Sequence, residues 1–416
     1  MIITIRGRVR DAISFVSPFR ERARRIGAAS PVPPAPPAVN ALAARLHPTA
    51  MRLRVESRTA EDGSTATFRL VPAVSGDAIP PFRAGQYVSA RMRIGGVPVS
   101  RPFSISSSPD EAALGYIELT VRSKPGGFCA PHIMEHWGEG TEVACSGPAG
   151  AFYHEPLRDG PRVVCIAGGS GVTPFKSMIP DSLAHDDTEL ILIQAARRPE
   201  ELLFSGFFER LASERPDRFS YVRVCEEPPG GRAAEGPEGL AGLERGLVTA
   251  ELISRRVSGY RDATYMICGP DAMKSHIARE TASWSLRPRQ LREESFSEAA
   301  SPYAYPGYPA DAARGPFSIE AMTDGELASV AADPGETVLT ALERAGLAPP
   351  SSCRSGDCGW CRSRLVSGRV FTPDSVRGLR AADAALGYFH PCRSYPLSDI
   401  AIEVPRNPDN SKEETE

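Results

Sequence analysis

Four cysteines near the C-terminus have the spacing of an iron–sulfur cluster site. Cys353 is followed by four residues and Cys358, then by two residues and Cys361, and Cys392 comes thirty residues later. This is the spacing of plant-type [2Fe–2S] clusters. Structural zinc is the alternative, but it usually takes two close ligand pairs, and only one Cys-x2-Cys pair is present. The pattern therefore predicts a [2Fe–2S] cluster held by these four thiolates.

A second group of residues, further upstream, has the chemistry to bind a flavin. In the string Arg101-Pro102-Phe103-Ser104, an arginine can neutralise a diphosphate, an aromatic ring can lie against a flavin ring, and a hydroxyl can hydrogen-bond to a ring nitrogen. Each later string alone fits a tight turn or a core position, but their joint occurrence in order favours cofactor binding. They are Gly126-Gly127-Phe128-Cys129, Gly147-Pro-Ala-Gly-Ala-Phe152, Gly168-Gly169-Ser170-Gly171-Val172-Thr173-Pro174 and Cys268-Gly269-Pro270.

This series resembles the ferredoxin–NADP reductase-like flavoprotein family over residues 50–297, and the cysteine segment resembles the plant-type ferredoxin domain. The resemblance implies that Arg101, with Pro102 beside it, binds the flavin phosphate. Phe103 occupies the position where the family usually has Tyr against the isoalloxazine, and Ser104 faces N5. The diphosphate is expected at a helix N-terminus, where N–H groups favour an anion. The residues there are Gly126, Gly127, Phe128 and Cys129, followed by Ala130 where the family often has Ser.

The same resemblance implies a nicotinamide site. Gly168, Gly169 and Gly171 do not form the Gly-x-Gly-x-x-Gly fingerprint, but they let a dinucleotide phosphate approach a helix N-terminus. Thr173 and Pro174 are expected to border the nicotinamide. Cys268, with Gly269 and Pro270, matches the segment near the carbon that transfers hydride, and Phe296 matches the aromatic that shields the flavin. The expected catalytic residues are therefore Ser104, Cys268 and Phe296.

The choice between NADH and NADPH depends on charged residues after two strands. Arg197 and Arg198 can pair with a 2′-phosphate or can simply be solvated. Glu226 stands where NADP-using relatives tend to carry Ser-Arg. A carboxylate at this position repels a phosphate and accepts hydrogen bonds from ribose hydroxyl groups. We therefore expect NADH, with NADPH as the alternative. We also expect FAD rather than FMN, because the string at 147–152 resembles the FAD-binding branch.

The hydropathy pattern distributes these residues over three domains. Short alternating runs from Met51 to Cys145 predict an antiparallel β-barrel, and continuous apolar runs alternating with helical segments after Arg162 predict an α/β domain with a parallel sheet. The third domain, by resemblance, is α+β (β-grasp). The expected divisions are a basic N-terminal arm with a Pro-rich spacer (1–47), the flavin barrel (48–157), the nicotinamide domain (158–297), a linker (298–315), the ferredoxin domain (316–405) and a disordered tail (406–416).

Composition excludes several classes of protein. A net charge of −3 argues against nucleic-acid binding, and nine cysteines, an odd number, argue against a disulfide scaffold. No apolar run reaches the ~18–20 residues that span a bilayer.

The N-terminal arm, residues 1–47, is basic: eight arginines and two acids give a net charge of +6. Because arginines and Pro18 interrupt the apolar pieces, we expect no signal peptide, no helix through Pro18 and a cytoplasmic protein. A solvated arm is the favoured interpretation, and weak surface association is the alternative.

The three sites together predict an electron-transfer chain. Nicotinamide gives two electrons as hydride, an iron–sulfur cluster accepts one at a time, and a flavin converts between them. We expect an NADH-dependent reductase that passes electrons through FAD and a [2Fe–2S] cluster to a protein acceptor such as an oxygenase component. The alternatives are a reductive activator or general electron donor in anaerobic metabolism, and a redox-sensing module without steady turnover.

Overall fold

The computed structural model describes residues 9–28, 37–227, 242–294, 302–312, 315–374, 376 and 378–407. The chain divides into two compact units, Met1–Leu46 and His47–Glu416. The first unit contains helices α1 (Val9–Gly27) and α2 (Ala38–Leu46). Helix α1 continues through Pro18, so the expectation that Pro18 breaks it is wrong: proline removes one backbone hydrogen bond, a cost that this helix carries. None of the helices in the described ranges is long and apolar enough to cross a bilayer.

The second unit begins with an antiparallel barrel domain, as predicted. Its strands are β1 (Met51–Ala60), β2 (Thr65–Pro72), β3 (Tyr87–Ile94), β4 (Val97–Ser104), β5 (Ile117–Arg122) and β6 (Glu142–Cys145). They are ordered β4-β3-β6-β1-β2-β5, and a bridge between Ile105 and Leu119 joins the two edges. Met51, Leu53 and Val55 alternate with more exposed residues along β1 and form part of the barrel core. Two short helices, α3 (Pro109–Ala113) and α4 (Cys129–His136), lie between strands.

A parallel-sheet domain follows, which confirms the predicted α/β architecture. Its strands are β7 (Arg162–Gly168), β8 (Glu189–Ala196), β9 (Phe219–Cys225), β10 (Leu243–Arg245), β11 (Thr264–Cys268) and β12 (Leu291–Glu294), in the order β10-β9-β8-β7-β11-β12. Separate hydrophobic clusters cover the two faces. One packs on helices α5 (Thr173–His185) and α6 (Ser205–Glu214), and the other on α7 (Ala250–Arg256) and α8 (Asp271–Thr281). The strand order reverses between β7 and β11, and ligands bind at such switch points.

The ferredoxin-like domain is an α+β fold, also as expected. Its main sheet combines β13 (Phe317–Thr323), β14 (Glu326–Ala332), β15 (Ser363–Ser367), β17 (Tyr388–Phe389) and β19 (Ile400–Glu403), in the order β14-β13-β19-β15-β17. A second pair consists of β16 (Val370–Phe371) and β18 (Tyr395–Pro396). Helix α9 (Val338–Arg344) buries Val338, Ala341 and Leu342 in the core of this domain, and α10 (Ala381–Ala385) precedes β17. Tyr308 of the preceding segment packs edge-on against Phe371, with ring centroids 5.1 Å apart.

Candidate redox site

The four predicted cluster cysteines come together as two pairs. The Sγ atoms of Cys361 and Cys392 lie 3.4 Å apart. In the other pair the thiol of Cys358 donates to Cys353, whose Sγ also accepts the backbone N–H of Cys358 at 3.4 Å. The hydrogen bond between the two thiols lowers the pKa of Cys353 and raises the pKa of Cys358, because the two thiols share one proton. A [2Fe–2S] cluster takes four thiolates, two on each iron, so two pairs fit it.

Glycine and arginine hold the loop that carries these cysteines. Gly356 has φ +85°, and a Cβ there would lie 2.5 Å from Val376 and 3.2 Å from the side chain of Arg393, so only glycine fits. Arg354 donates from Nη1 to Oε1 of Glu343 on α9 at 2.6 Å, and both side chains are almost fully buried. The loop is therefore anchored to the core helix of its own domain.

A cavity of about 680 Å³ lies where the barrel, the parallel sheet and the cysteine loop meet, a size typical of cofactor sites. Its walls come from β3, from the 147–152 segment, from the end of β12 and from the cysteine loop. The lining residues that matter most for the chemistry are Tyr87, Ser89, Glu294, Cys353, Cys358 and Trp360. A flavin ring in this cavity would therefore lie directly beside two cluster ligands.

Two buried polar side-chain atoms, one on β4 and one on β12, lack partners among the described residues. Ser104 pairs with Tyr87 across β3 and β4, so both side chains lie on one face of the sheet, and the Ser104 Oγ is buried without a hydrogen bond. The Oε2 atom of Glu294 is also buried without one. Burial, followed by the charges of Asp357 and Cys353, raises the pKa of Glu294 well above its usual value. Glu294 lines the cavity and places a carboxyl of raised pKa where a flavin would bind, whereas Ser104 is not among the lining residues, so its contact with the flavin remains a prediction. Sequence reasoning missed Glu294, although it lies two residues before Phe296.

The predicted flavin segment, Arg101 to Ser104, forms the last four residues of β4. Alternation along the strand puts Arg101 and Phe103 on the opposite face from Ser104. Phe103 packs against the barrel core, and the Arg101 Nη1 lies 3.5 Å from Oε2 of Glu343 in the ferredoxin-like domain. Neither residue lines the cavity, so their flavin contacts remain predictions.

The predicted diphosphate site lies at the start of α4. Gly126 has φ +75°, and a Cβ on Gly127 would lie 3.1 Å from the Lys124 carbonyl oxygen, so both positions favour glycine. The N-cap residue is Phe128, whose side chain has no acceptor for the first backbone N–H groups, and Cys129 is buried. Exposed helix N–H groups can receive an anion. The role of these residues in binding diphosphate remains a prediction.

The two predicted nicotinamide strings form one site at the switch point between β7 and β11. Gly171 packs on the backbone of Cys268, and a Cβ on Gly269 would lie 3.2 Å from the Gly168 Cα atom. Thr173, with Pro174 after it, begins α5 and donates from Oγ1 to the Ser170 carbonyl oxygen at 3.0 Å. Burial raises the pKa of Cys268 well above its usual value, so this side chain stays a thiol. Phe296, the third member of the expected catalytic set, lies outside the described residues.

Charged residues gather at the carboxyl ends of β8 and β9. The backbone N–H of Glu226 donates to the Ala196 carbonyl oxygen at 3.3 Å, and Glu226 itself is exposed. Beside it, the Nε of Arg197 lies 3.1 Å from Oε1 of Glu227. Arg197 therefore already has a carboxylate partner within the chain.

Comparison with known proteins agrees with this layout. Three family models match in order: an oxidoreductase FAD-binding domain at residues 52–154, an oxidoreductase NAD-binding domain at 165–279 and a 2Fe-2S iron-sulfur cluster binding domain at 322–397. The glycine betaine monooxygenase reductase subunit of Chromohalobacter salexigens is 30% identical, over 77% of this chain and 87% of that protein. The stachydrine N-demethylase reductase subunit of Rhizobium meliloti is 28% identical, over 85% of this chain and 96% of that protein. The crystal structure of phthalate dioxygenase reductase covers 86% of this chain and 98% of its own, with a TM-score of 0.57 and 21% identity, and so shares the fold.

The chain therefore belongs to the family of flavoprotein reductases in which FAD-binding, NAD-binding and C-terminal [2Fe–2S] domains follow one another. It is an NAD(P)H-dependent oxidoreductase that transfers electrons through FAD and a [2Fe–2S] cluster. This confirms the electron-transfer chain expected from the sequence.

Proposed function

We propose that this protein is the NADH-dependent reductase component of an oxygenase system, acting in the cytoplasm. The proposal rests on one observation: a single cavity is lined both by Tyr87 of the barrel and by Cys353 and Cys358 of the cysteine loop. A reductase needs a flavin site in contact with its cluster, and relatives that span most of this chain are named as reductase subunits of monooxygenase systems. All nine cysteines are unbridged, as is usual in a reducing compartment.

The residues around the cavity would bind and orient the cofactors. FAD, when bound, exchanges an electron pair with nicotinamide and single electrons with the cluster. The Ser104 hydroxyl would donate to the flavin ring, and the Glu294 carboxyl, whose pKa is raised mainly by burial, would hold a proton at the cavity wall. Arg101, which lies beside Glu343 in this structure, and the N-terminus of α4 with Gly126 and Gly127 are the predicted contacts of the phosphates. Gly168, Gly171 and the Cys268–Pro270 backbone admit the dinucleotide and exclude water from the nicotinamide.

The preference for NADH is supported by the charges after β8 and β9. Arg197 forms its ion pair with Glu227 rather than with Glu226. The carboxylate of Glu226 would accept hydrogen bonds from the ribose hydroxyl groups and repel a 2′-phosphate. Arg197, the residue best suited to attract that phosphate, is engaged by Glu227. The balance of charge at this edge is therefore unfavourable to NADPH.

The function is tested with the purified holoprotein under anaerobic conditions. We expect NADH to reduce the flavin and then the cluster, and ferricyanide to sustain steady NADH oxidation. An oxygenase component should then turn over its substrate with NADH only when this protein is present. A protein that binds both cofactors but shows no steady NADH oxidation would instead support the redox-sensing alternative. Steady oxidation without transfer to an oxygenase would support a general electron donor.

A further inference from the structure

Arg393 connects the cysteine loop to another domain. It follows the cluster ligand Cys392 directly, and its side chain is only 5% exposed. The aliphatic part packs beside Gly356 in the cysteine loop. The guanidinium group reaches the parallel-sheet domain, where Nη2 donates to Oδ2 of Asp271 at 3.2 Å. One side chain thus bridges the loop that holds the cluster and the domain that binds nicotinamide.

Asp271 is the acceptor at which three groups converge. It is the first residue of α8 and comes directly after the Cys268-Gly269-Pro270 string. Its Oδ2 accepts a second hydrogen bond from the hydroxyl of Tyr305 at 3.0 Å, and its Oδ1 lies 2.8 Å from the Nζ of Lys274. The Tyr305 oxygen in turn accepts from Arg393 at 3.1 Å. Tyr305 belongs to the segment between the two domains, so the connecting chain is part of the same network.

The other side of the cysteine loop contacts the barrel through neutral hydroxyl groups, and the barrel also reaches helix α9 through Arg101, whose Nη1 lies 3.5 Å from Oε2 of Glu343. Ser100 and Ser351 have their Oγ atoms 2.7 Å apart, and Ser89 and Ser352 have theirs 3.2 Å apart. Ser352 directly precedes Cys353. Hydrogen bonds that involve a charged group are roughly twice as strong as neutral ones, so the contacts of Arg393 with Asp271 should contribute more to docking than the serine pairs.

We propose that Asp271, Arg393 and Tyr305 form a positioning clasp that holds the ferredoxin-like domain in the arrangement in which its cluster receives electrons. The clasp does no chemistry: a single electron passes to the cluster and no bond forms or breaks. Its effect is to fix the cysteine loop against the flavin cavity. Loss of the clasp should therefore slow the flavin-to-cluster step and leave hydride transfer from NADH to the flavin unchanged.

The first test follows the two steps separately by anaerobic stopped-flow absorbance in the holoprotein. Asp271→Asn keeps the shape of the side chain and removes its charge, and Tyr305→Phe removes one hydrogen bond. We expect Asp271→Asn to weaken docking about ten- to a hundredfold, because hydrogen bonds to a charged group are lost, with a smaller effect for Tyr305→Phe. Cluster reduction should slow accordingly. The matched control is Asp187→Asn, an exposed aspartate of the same domain that should change neither step.

A second readout needs no electron flow. Hydrogen exchange of the oxidised holoprotein should accelerate in the 302–312 segment and in the cysteine loop of Asp271→Asn, and Asp271→Glu should restore part of the protection. Equal slowing of flavin and cluster reduction would overturn the proposal, because the residue would then act on nicotinamide binding. Unchanged cluster reduction with unchanged exchange would overturn it as well, because the domains would then be held by other contacts.

Discussion

Gly171 packs so closely on Cys268 that any side chain at position 171 would overlap the Cys268 carbonyl oxygen. The two residues lie on different strand-to-helix connections, one after β7 and one at the end of β11. Their contact closes the crevice at the strand-order reversal, where dinucleotides bind in sheets of this kind. The glycine is thus required by a neighbouring backbone.

Gly171→Ala should weaken NADH binding and destabilise the protein. A methyl group there forces the two connections apart, at a cost of about 1–3 kcal/mol typical of overpacked sites. Thermal unfolding and the KM for NADH measure the two effects. Gly206→Ala is the control, because a Cβ at Gly206, on helix α6, meets no atom within 4 Å. Equal behaviour of the two variants would contradict the tight contact.

Cys358→Ala should abolish electron delivery to one-electron protein acceptors and preserve reduction of the flavin by NADH. The cysteine belongs to the Cys353 pair, whereas the nicotinamide strings lie on another domain. Iron analysis, cluster absorbance and stopped-flow flavin bleaching distinguish the two steps. Loss of flavin reduction in a folded variant would show that the domains are not functionally separable.

Glu226→Arg should reduce or reverse the preference for NADH. The substitution exchanges a carboxylate for a guanidinium where the adenosine ribose is expected, and one charge-involving hydrogen bond changes affinity about ten- to a hundredfold. The measurement is the ratio of kcat/KM for NADH and NADPH. Asp217→Arg, at the opposite end of the same strand, introduces the same charge change and should leave the ratio unaltered. A wild type that prefers NADPH would remove Glu226 from the site.

Stability should depend on pH through His185, which joins α5 to the barrel domain. Its Nε2 lies 2.9 Å from Oδ2 of Asp110, and this hydrogen bond, with Asp181 and Asp186 nearby, raises the pKa of His185. The stabilisation is complete below the unfolded-state pKa of about 6.5 and is lost as pH rises through the higher folded-state pKa. The difference in Tm between wild type and His185→Asn should therefore be larger at pH 6 than at pH 9. A difference independent of pH would argue that the pair contributes no charge interaction.

Local patterns predict the parallel strands well and the edge strands poorly. Strands β7, β8 and β11 are largely buried, so each appears in the sequence as a mostly apolar run, whereas β9 is interrupted by Ser220 and Arg223. Strands β10 and β12 are short, partly exposed edges with charged residues, and no such run marks them. Periodicity therefore finds the centre of the sheet and misses the strand that carries Glu294.

The candidate site shows a similar division. Cysteine spacing predicts the cluster ligands, because a metal cluster constrains residues that are close in the chain. The contact between Asp271 and Arg393 joins residues 122 positions apart, and it depends on how two domains dock. Likewise, Arg101 points toward Glu343 because of the register of β4 in the barrel. The sequence motif alone does not specify that register.

The hydroxyl contacts between the barrel and the cysteine loop have a kinetic consequence. Because the two domains belong to one chain, their docking is intramolecular, and the local concentration of one domain around the other is on the order of millimolar for a short connection. At such a concentration, contacts of low intrinsic affinity keep the domains together most of the time. Weak contacts also dissociate quickly. If the contacts of Arg393 with Asp271 and Tyr305 are lost, serine pairs such as Ser100 and Ser351 should hold the cysteine loop against the barrel only briefly at each encounter.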